Sequence, residues 1–156
     1  MQDYIWWSGL TAGDARNGIG LIENELEKAL VNEKVYWIAR SSQTNPAFKS
    51  REAHLLPAYD EYNVAYKDRE VVLDHRSNMN TWDMLGPTLS IGGRIVGAWK
   101  AAGDRKSTNI TLKPTRPLTQ PEKVAVKEAV DQYAIFFGSP RVGYSINAAN
   151  FRGAVD

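Results

Sequence analysis

Apolar side chains recur at intervals of three and four between residues 12 and 26. Ala12, Ala15, Ile19, Ile22 and Leu26 share one stripe, which predicts a helix burying one face. Thr11 stands at its N-cap, with Asp14 three positions on in the place of a capping-box carboxylate. Gly13, Gly18 and Gly20 lower the intrinsic propensity, so this helix depends on tertiary support. A short aromatic helix is expected before it, over residues 3–8, stopped by Gly9-Leu10. After it, Ala29-Leu30-Val31 and Val35-Tyr36-Trp37-Ile38 flank Asn32-Glu33-Lys34 and read as a hairpin. Helix, turn, helix, hairpin is the order of a winged helix without its first helix. Trp6, Trp7, Tyr36 and Trp37 are expected in its small interior.

The pattern then changes. Residues 41–54, opening on Ser41-Ser42-Gln43-Thr44-Asn45-Pro46, are polar, without strong periodicity, and read as a linker. Residues 69–74 suggest a strand. Thr88-Leu89-Ser90-Ile91, Gly92-Gly93 and the run from Arg94 to Lys100 form the clearest hairpin, because paired glycines supply the positive φ of a two-residue turn. Residues 107–113 alternate polar and apolar and extend it to a third strand. Thr119, Pro121 and Glu122 start a last helix, with Val126, Ala129, Val130, Tyr133 and Phe137 as its buried stripe and Gly138-Ser139-Pro140 as its stop. The expected architecture is α+β: a partial winged helix at 1–40, the linker at 41–54, a β-rich antiparallel meander with one C-terminal helix at 55–138, and a tail at 139–156.

Composition narrows the chemistry. The 156 residues are 43% hydrophobic and 24% charged, as in ordinary globular chains. With no cysteine there is no disulfide, thiolate metal site or cysteine nucleophile. No apolar run approaches ~18 residues, and the start lacks the basic region of a secretory signal, which leaves the cytoplasm as the default location. The net charge of +1 hides a gradient: residues 94–119 hold Arg94, Lys100, Arg105, Lys106, Lys113 and Arg116 against the single Asp104. A polyanion responds to such a local excess rather than to net charge. The competing reading is a merely solvated surface.

Other chemistries find little support. His54 and His75 are the two histidines, and no Gly-x-Ser-x-Gly elbow accompanies them. Neither histidine has ligand spacing to Asp60, Glu61 or Asp74, so no metal is expected, and no Walker pattern or other cofactor motif is present. Asp60-Glu61 beside Tyr62 is the most enzyme-like cluster. Neighbours in sequence point apart on either a strand or a helix, which favours a structural role holding a turn or Arg69 over shared acid–base work.

Four segments in order carry a resemblance: Tyr4-Ile5-Trp6-Trp7-Ser8-Gly9-Leu10-Thr11 with Asp14-Ala15-Arg16; Leu55-Leu56-Pro57-Ala58-Tyr59-Asp60-Glu61-Tyr62 with Tyr66-Lys67-Asp68-Arg69; Gly92-Gly93 through Lys100; and Gln132-Tyr133-Ala134 through Phe137-Gly138. Together they resemble the winged-helix DNA-binding-domain-containing family, which includes AlkZ-like and YcaQ-like glycosylases that unhook interstrand crosslinks. The resemblance covers the C-terminal half of such proteins and implies a chain beginning inside the last winged helix. The family's paired Gln-x-Gln or Gln-x-Asp signature is not matched by Gln2, Gln43, Gln120 or Gln132, so no catalytic residue carries over. It implies a DNA-positioning portion without catalysis of its own, binding double-stranded DNA non-specifically. The expected phosphate contacts are Arg94, Lys100, Arg105, Lys106 and Lys113, with Lys34 on the wing. Asp60, Glu61, Tyr62 and Arg69 form the structural motif. The helix at 12–26 is acidic, with Asp14, Glu23 and Glu25 against Arg16, and is a poor groove reader. The rival expectation is a docking module for an upstream winged-helix domain or a second copy.

Overall fold

The computed structural model describes residues 1–31, 33–42, 52–80, 83–104 and 106–147. Two compact units emerge, one of residues 1–48 with 65–68, the other of residues 49–64 with 69–156.

The first unit holds α1 (Gln2–Ser8), α2 (Ala12–Leu21), a 3-10 turn (Glu23–Glu25) and the antiparallel pair β1 (Leu26–Val31) and β2 (Lys34–Ala39). Gly9, in the left-handed region at φ 69°, ends α1. The Thr11 hydroxyl accepts from the Asp14 backbone N–H at 3.2 Å and donates to the Asp14 carboxylate at 2.7 Å. Residues 12–26 do not form one helix. With three weakening glycines, Gly13, Gly18 and Gly20, α2 stops at Leu21, and Leu26 enters β1 opposite Ala39. The expected buried stripe is also absent: Ala15 is the one buried side chain among the described residues of this unit, and Ile22 is exposed. Trp6 and Trp7, expected inside, are 54% and 63% exposed, because α1 buries none of its residues. Tyr36 and Trp37 are half-buried.

The second unit is built on a five-stranded sheet ordered β3 (Ala53–Leu56), β4 (Thr88–Ile91), β5 (Arg94–Gly103), β6 (Thr108–Pro114), β7 (Val142–Ile146). Gly92 and Gly93, at φ 57° and 73°, make the β4–β5 turn. β5 carries a bulge: Ser90 faces Ile95 and Leu89 faces Gly97, which turns Val96 into the core. Only glycine fits at 97, where a Cβ would lie 2.4 Å from the Lys113 carbonyl.

One sheet face packs on α4 (Gln120–Phe137). Leu89, Ile91, Val96, Ile110 and Leu112 meet Ala125, Val126, Ala129 and Val130. The full capping box at Thr119 and Glu122 starts this helix and Gly138 ends it. Tyr133 and Phe137 are half-buried and stack at 5.7 Å, with Trp99 edge-on to Tyr133 at 5.2 Å.

Three boundaries differ from expectation. β3 begins at Ala53, inside the expected linker, whose residues 43–51 lie outside the described residues. β7 lies in the expected tail and pairs parallel with β6, from Thr108↔Val142 to Leu112↔Ile146, after the α4 crossover. The meander is thus antiparallel through β6 and mixed at its edge. Residues 69–74 are not a regular strand. A 3-10 turn (Arg69–Val71) leads to a single bridge, Leu73↔Ile95, where β6 no longer reaches β5.

Arg116 ties the connection after β6 to the rest of this unit. Its side chain is 10% exposed; Nε contacts Asp74 Oδ2 at 3.0 Å, and Nη2 contacts Glu122 Oε1 at 2.6 Å. Burial works against ionised Asp74, but hydrogen bonds from Arg76 and Arg116 prevail and hold it near pKa 2. The Arg116 hydrogen bond, with those from Thr119, likewise holds Glu122 near 2. Both values are depressed, so their stabilisation is complete above the ordinary carboxylate range and disappears as pH falls. Wild-type stability to urea should therefore drop between about pH 5 and pH 2, whereas Arg116→Met should flatten or reverse that drop. At neutral pH the variant should lose about 3–5 kcal/mol, since the largely buried Glu122 loses its cation and Asp74 keeps only Arg76.

Candidate nucleic-acid interface

β4 pairs with β5 only as far as Ala98, whereas β6 pairs with it out to Gly103. The β5–β6 ribbon therefore runs on beyond β4. Residues directly opposite across strands share a face. Ala98↔Lys113 and Lys100↔Thr111 consequently put Lys100 and Lys113 on the same face, as diagonal neighbours roughly 7–8 Å apart. Asn109, Thr111 and Lys113 alternate with the buried Thr108, Ile110, Leu112 and Pro114. Gly143 and Ser145 of β7 face Asn109 and Thr111. The result is a polar surface with low relief and two exposed lysines. Over β4 the same face is closed: Thr88 and Ser90 are buried there, and Asn63 Nδ2 donates to Thr88 Oγ1 at 2.8 Å.

The remaining predicted cations are distributed unevenly. Lys106 is exposed in the ribbon-tip turn, where Asp104 Oδ1 accepts from the backbone N–H of Lys106 at 2.8 Å and of Ser107 at 3.0 Å. The acidic group of the ribbon is thus engaged in shaping the turn. Arg105 lies outside the described residues. Arg94 sits at the other end of ten-residue β5, roughly 30 Å away along the strand, and donates to the Val71 carbonyl. Lys34, in the first unit, is ion-paired with Asp68. Lys28, on the same hairpin, lies 4.5 Å above the Trp37 ring. Lys100, Lys113 and Lys106 thus share the ribbon, and Arg94 and Lys34 stand elsewhere.

The Asp60 cluster has local tasks. Asp60 Oδ1 accepts from the Tyr62 N–H at 2.9 Å at the start of α3 (Glu61–Val64), and its carbonyl accepts from Asn63 and Val64. Tyr62 Oη donates to the Gly93 carbonyl at 2.6 Å, and Arg69 Nε to the Asn63 carbonyl at 3.1 Å. Glu61 is exposed. No three metal-ligating side chains gather among the described residues.

Tyr59 stands out beside this cluster and had no signal in the residue pattern beyond its place after Pro57-Ala58. It is 72% exposed and adopts φ 57°. For a bulky side chain that left-handed conformation costs about 1–2 kcal/mol. Its N–H donates to the Leu85 carbonyl at 2.9 Å.

The sequence matches the family described as DNA glycosylase AlkZ-like over residues 1–136. Among solved structures, the Streptomyces sahachiroi DNA glycosylase AlkZ matches with a TM-score of 0.69 at 19% identity, over 94% of this chain and 41% of that one. At that identity the likeness is one of fold. No curated protein matches. No helix among the described residues is long and apolar enough to cross a membrane.

The capping geometry makes a direct prediction. Asp60→Ala should cost about 1 kcal/mol in urea unfolding, and Asp60→Asn, which still caps, only a few tenths. Equal losses for both would mean that the carboxylate charge, rather than the cap, is what matters.

Proposed function

The chain belongs to the AlkZ-like DNA glycosylase family, and on that footing we propose that it binds and positions DNA through the β5–β6 ribbon without excising bases itself. The observation that carries this reading is the open polar face on which Lys100 and Lys113 lie diagonally, with Lys106 at the ribbon tip. Small neighbours (Ala98, Ala102, Gly143, Ser145) let a phosphate backbone approach the sheet closely, and the two ammonium groups suit phosphates as point charges. Lysines supply point charges for phosphates rather than a fixed fork for base edges, which favours a non-specific contact. Asp60 serves a cap, while Asp74 and Glu122 serve Arg116, which leaves none of these three poised for acid–base work. In this reading, excision chemistry belongs to the part of the longer relative that the chain does not span.

A second reading rests on the first unit. Ile5, Trp6, Leu10, Gln2, Gly9 and Lys67 line an open hollow of about 350 Å³. Together with the exposed Trp7, Leu21 and Leu30, it suits docking onto another winged-helix domain or a second copy better than solvent.

The first reading is tested by fluorescence anisotropy with duplex DNA over a salt series. Wild-type binding should weaken with a slope of about −0.9 in log K for each neutralised phosphate. Lys100→Gln with Lys113→Gln should reduce that slope by about 2, and Arg105→Ala with Lys106→Ala by a similar amount. Unchanged slopes in both pairs would remove the ribbon from the interface. Docking onto a second copy predicts concentration-dependent dimers in sedimentation velocity, lost on Trp6→Ser with Trp7→Ser.

A further inference from the structure

We propose that Arg141 is a phosphate-binding residue that extends the cationic face from the β5–β6 ribbon onto β7, so that duplex DNA lies across three strands. This rests on the DNA-positioning reading above and adds to it an anchor outside the basic stretch. Three observations carry it.

First, strand alternation brings Arg141 to the open face. Val142, opposite Thr108, packs against the core on the α4 side. Gly143 and Ser145 lie on the other side, facing Asn109 and Thr111. Asn109 Oδ1 confirms that side, lying 3.1 Å from where a Cβ on Gly143 would stand. Arg141 already belongs to the ladder, because its carbonyl accepts from the Thr108 N–H at 2.9 Å and from the Ser139 hydroxyl at 3.1 Å. Successive side chains of an extended backbone point to opposite faces, so Arg141 departs on the side of Gly143 and Ser145. That is the face of Lys100 and Lys113.

Second, its guanidinium has no task within the unit. Among the other described arginines there, Arg69 donates to the Asn63 carbonyl and Arg94 to the Val71 carbonyl. Arg76 pairs with Asp74, and Arg116 with Asp74 and Glu122. Arg141 is exposed, and no described residue engages its side chain. Residues 106–118 and 139–147 contain no acid. Asp104 stands on the other flank of β6, with Oδ1 accepting from two N–H groups of its turn. The exposed Glu128 and Asp131 belong to α4, the layer on the opposite side of the sheet. A planar guanidinium with its fork of donors matches phosphate oxygens as no lysine does.

Third, the spacing fits an extended polyanion. Lys100 lies opposite Thr111, whereas Arg141 stands one residue before Val142, which lies opposite Thr108. At about 3.3 Å per residue and about 4.8 Å between strands, its Cα is roughly 16 Å from that of Lys100 and roughly 20 Å from that of Lys113. No single phosphate reaches from one end to the other. A nucleic-acid backbone does, and the intervening Asn109, Thr111, Gly143 and Ser145 are small enough to let it pass close to the sheet. Its path thus crosses β5, β6 and β7 instead of following the ribbon.

The test is the salt dependence of duplex binding, read by anisotropy for three single variants. Arg141→Gln should lower the slope of log K against log[salt] by about 1, at an unchanged unfolding temperature because the guanidinium holds no protein group. Arg141→Lys should keep the wild-type slope but bind several-fold more weakly, since the charge remains and the fork is lost. Lys123→Gln removes an exposed cation from α4 and should leave the slope as it is. A wild-type slope in Arg141→Gln, beside a reduced one in the Lys100→Gln, Lys113→Gln double variant, would overturn this assignment and leave the ribbon reading intact. Equal losses in Arg141→Gln and Lys123→Gln would also overturn it, because net charge alone would then be at work. A wild-type chain that does not bind the duplex, even at low salt, would remove both readings.

Discussion

The length of β5 is the constraint on which the second unit depends. Ten residues form this strand, but its β4 partner ends opposite Ala98. The inner half, Ile95 to Gly97, is buried, and the bulge there turns Val96 into the core against α4. The outer half, Lys100 to Gly103, is exposed and has β6 as its ladder partner. One strand therefore anchors the core and carries the candidate interface. That arrangement places the lysines on regular, hydrogen-bonded backbone rather than on a loose loop, which fixes their spacing.

The basic segment shows why a charge count is not a binding site. Of its six cations, Arg116 is almost wholly enclosed and holds Asp74 and Glu122, so it works as a tether between the connection after β6, the segment after residue 71 and the first turn of α4. Arg94 reaches back to a carbonyl at the far end of β5. What distinguishes Lys100 and Lys113 is their register. A one-residue slip of β6 would send Lys113 to the α4 face and dismantle both the core and the cationic surface. The same pairing that buries Ile110 and Leu112 exposes the two lysines.

The sequence was most legible where the decisive forces are local. Thr119 with Glu122, Thr11 with Asp14, and Gly92-Gly93 each satisfy backbone groups within a few residues, and each stands where the pattern placed it. Legibility failed where distant segments decide. β7 exists because Val142 to Ile146 finds the exposed side of β6 after an 18-residue helix, and nothing in its own five residues announces that partner. Leu26 continued a helical period, but pairing with Ala39 captured it for β1. Of the candidate site, the cation-rich stretch could be read directly. The division among its cations could not, because burial of Arg116 follows from where Asp74 and Glu122 lie. The positive φ of Tyr59 had no residue signature at all.

The two units solve the problem of stability differently, and this bears on function. The second encloses a hydrophobic cluster between sheet and helix, and can afford an open polar face. The first encloses Ala15 alone among its described side chains, while Trp6, Trp7, Leu21 and Leu30 remain exposed. Helices of seven and ten residues are marginal without a buried apolar face. Among the described side chains, then, this unit has little interior of its own. That deficit is one of burial, whereas the candidate interface on the ribbon is set by charge and register. The docking reading and the DNA-positioning reading therefore rest on separate features of one chain, and failure of either leaves the other standing.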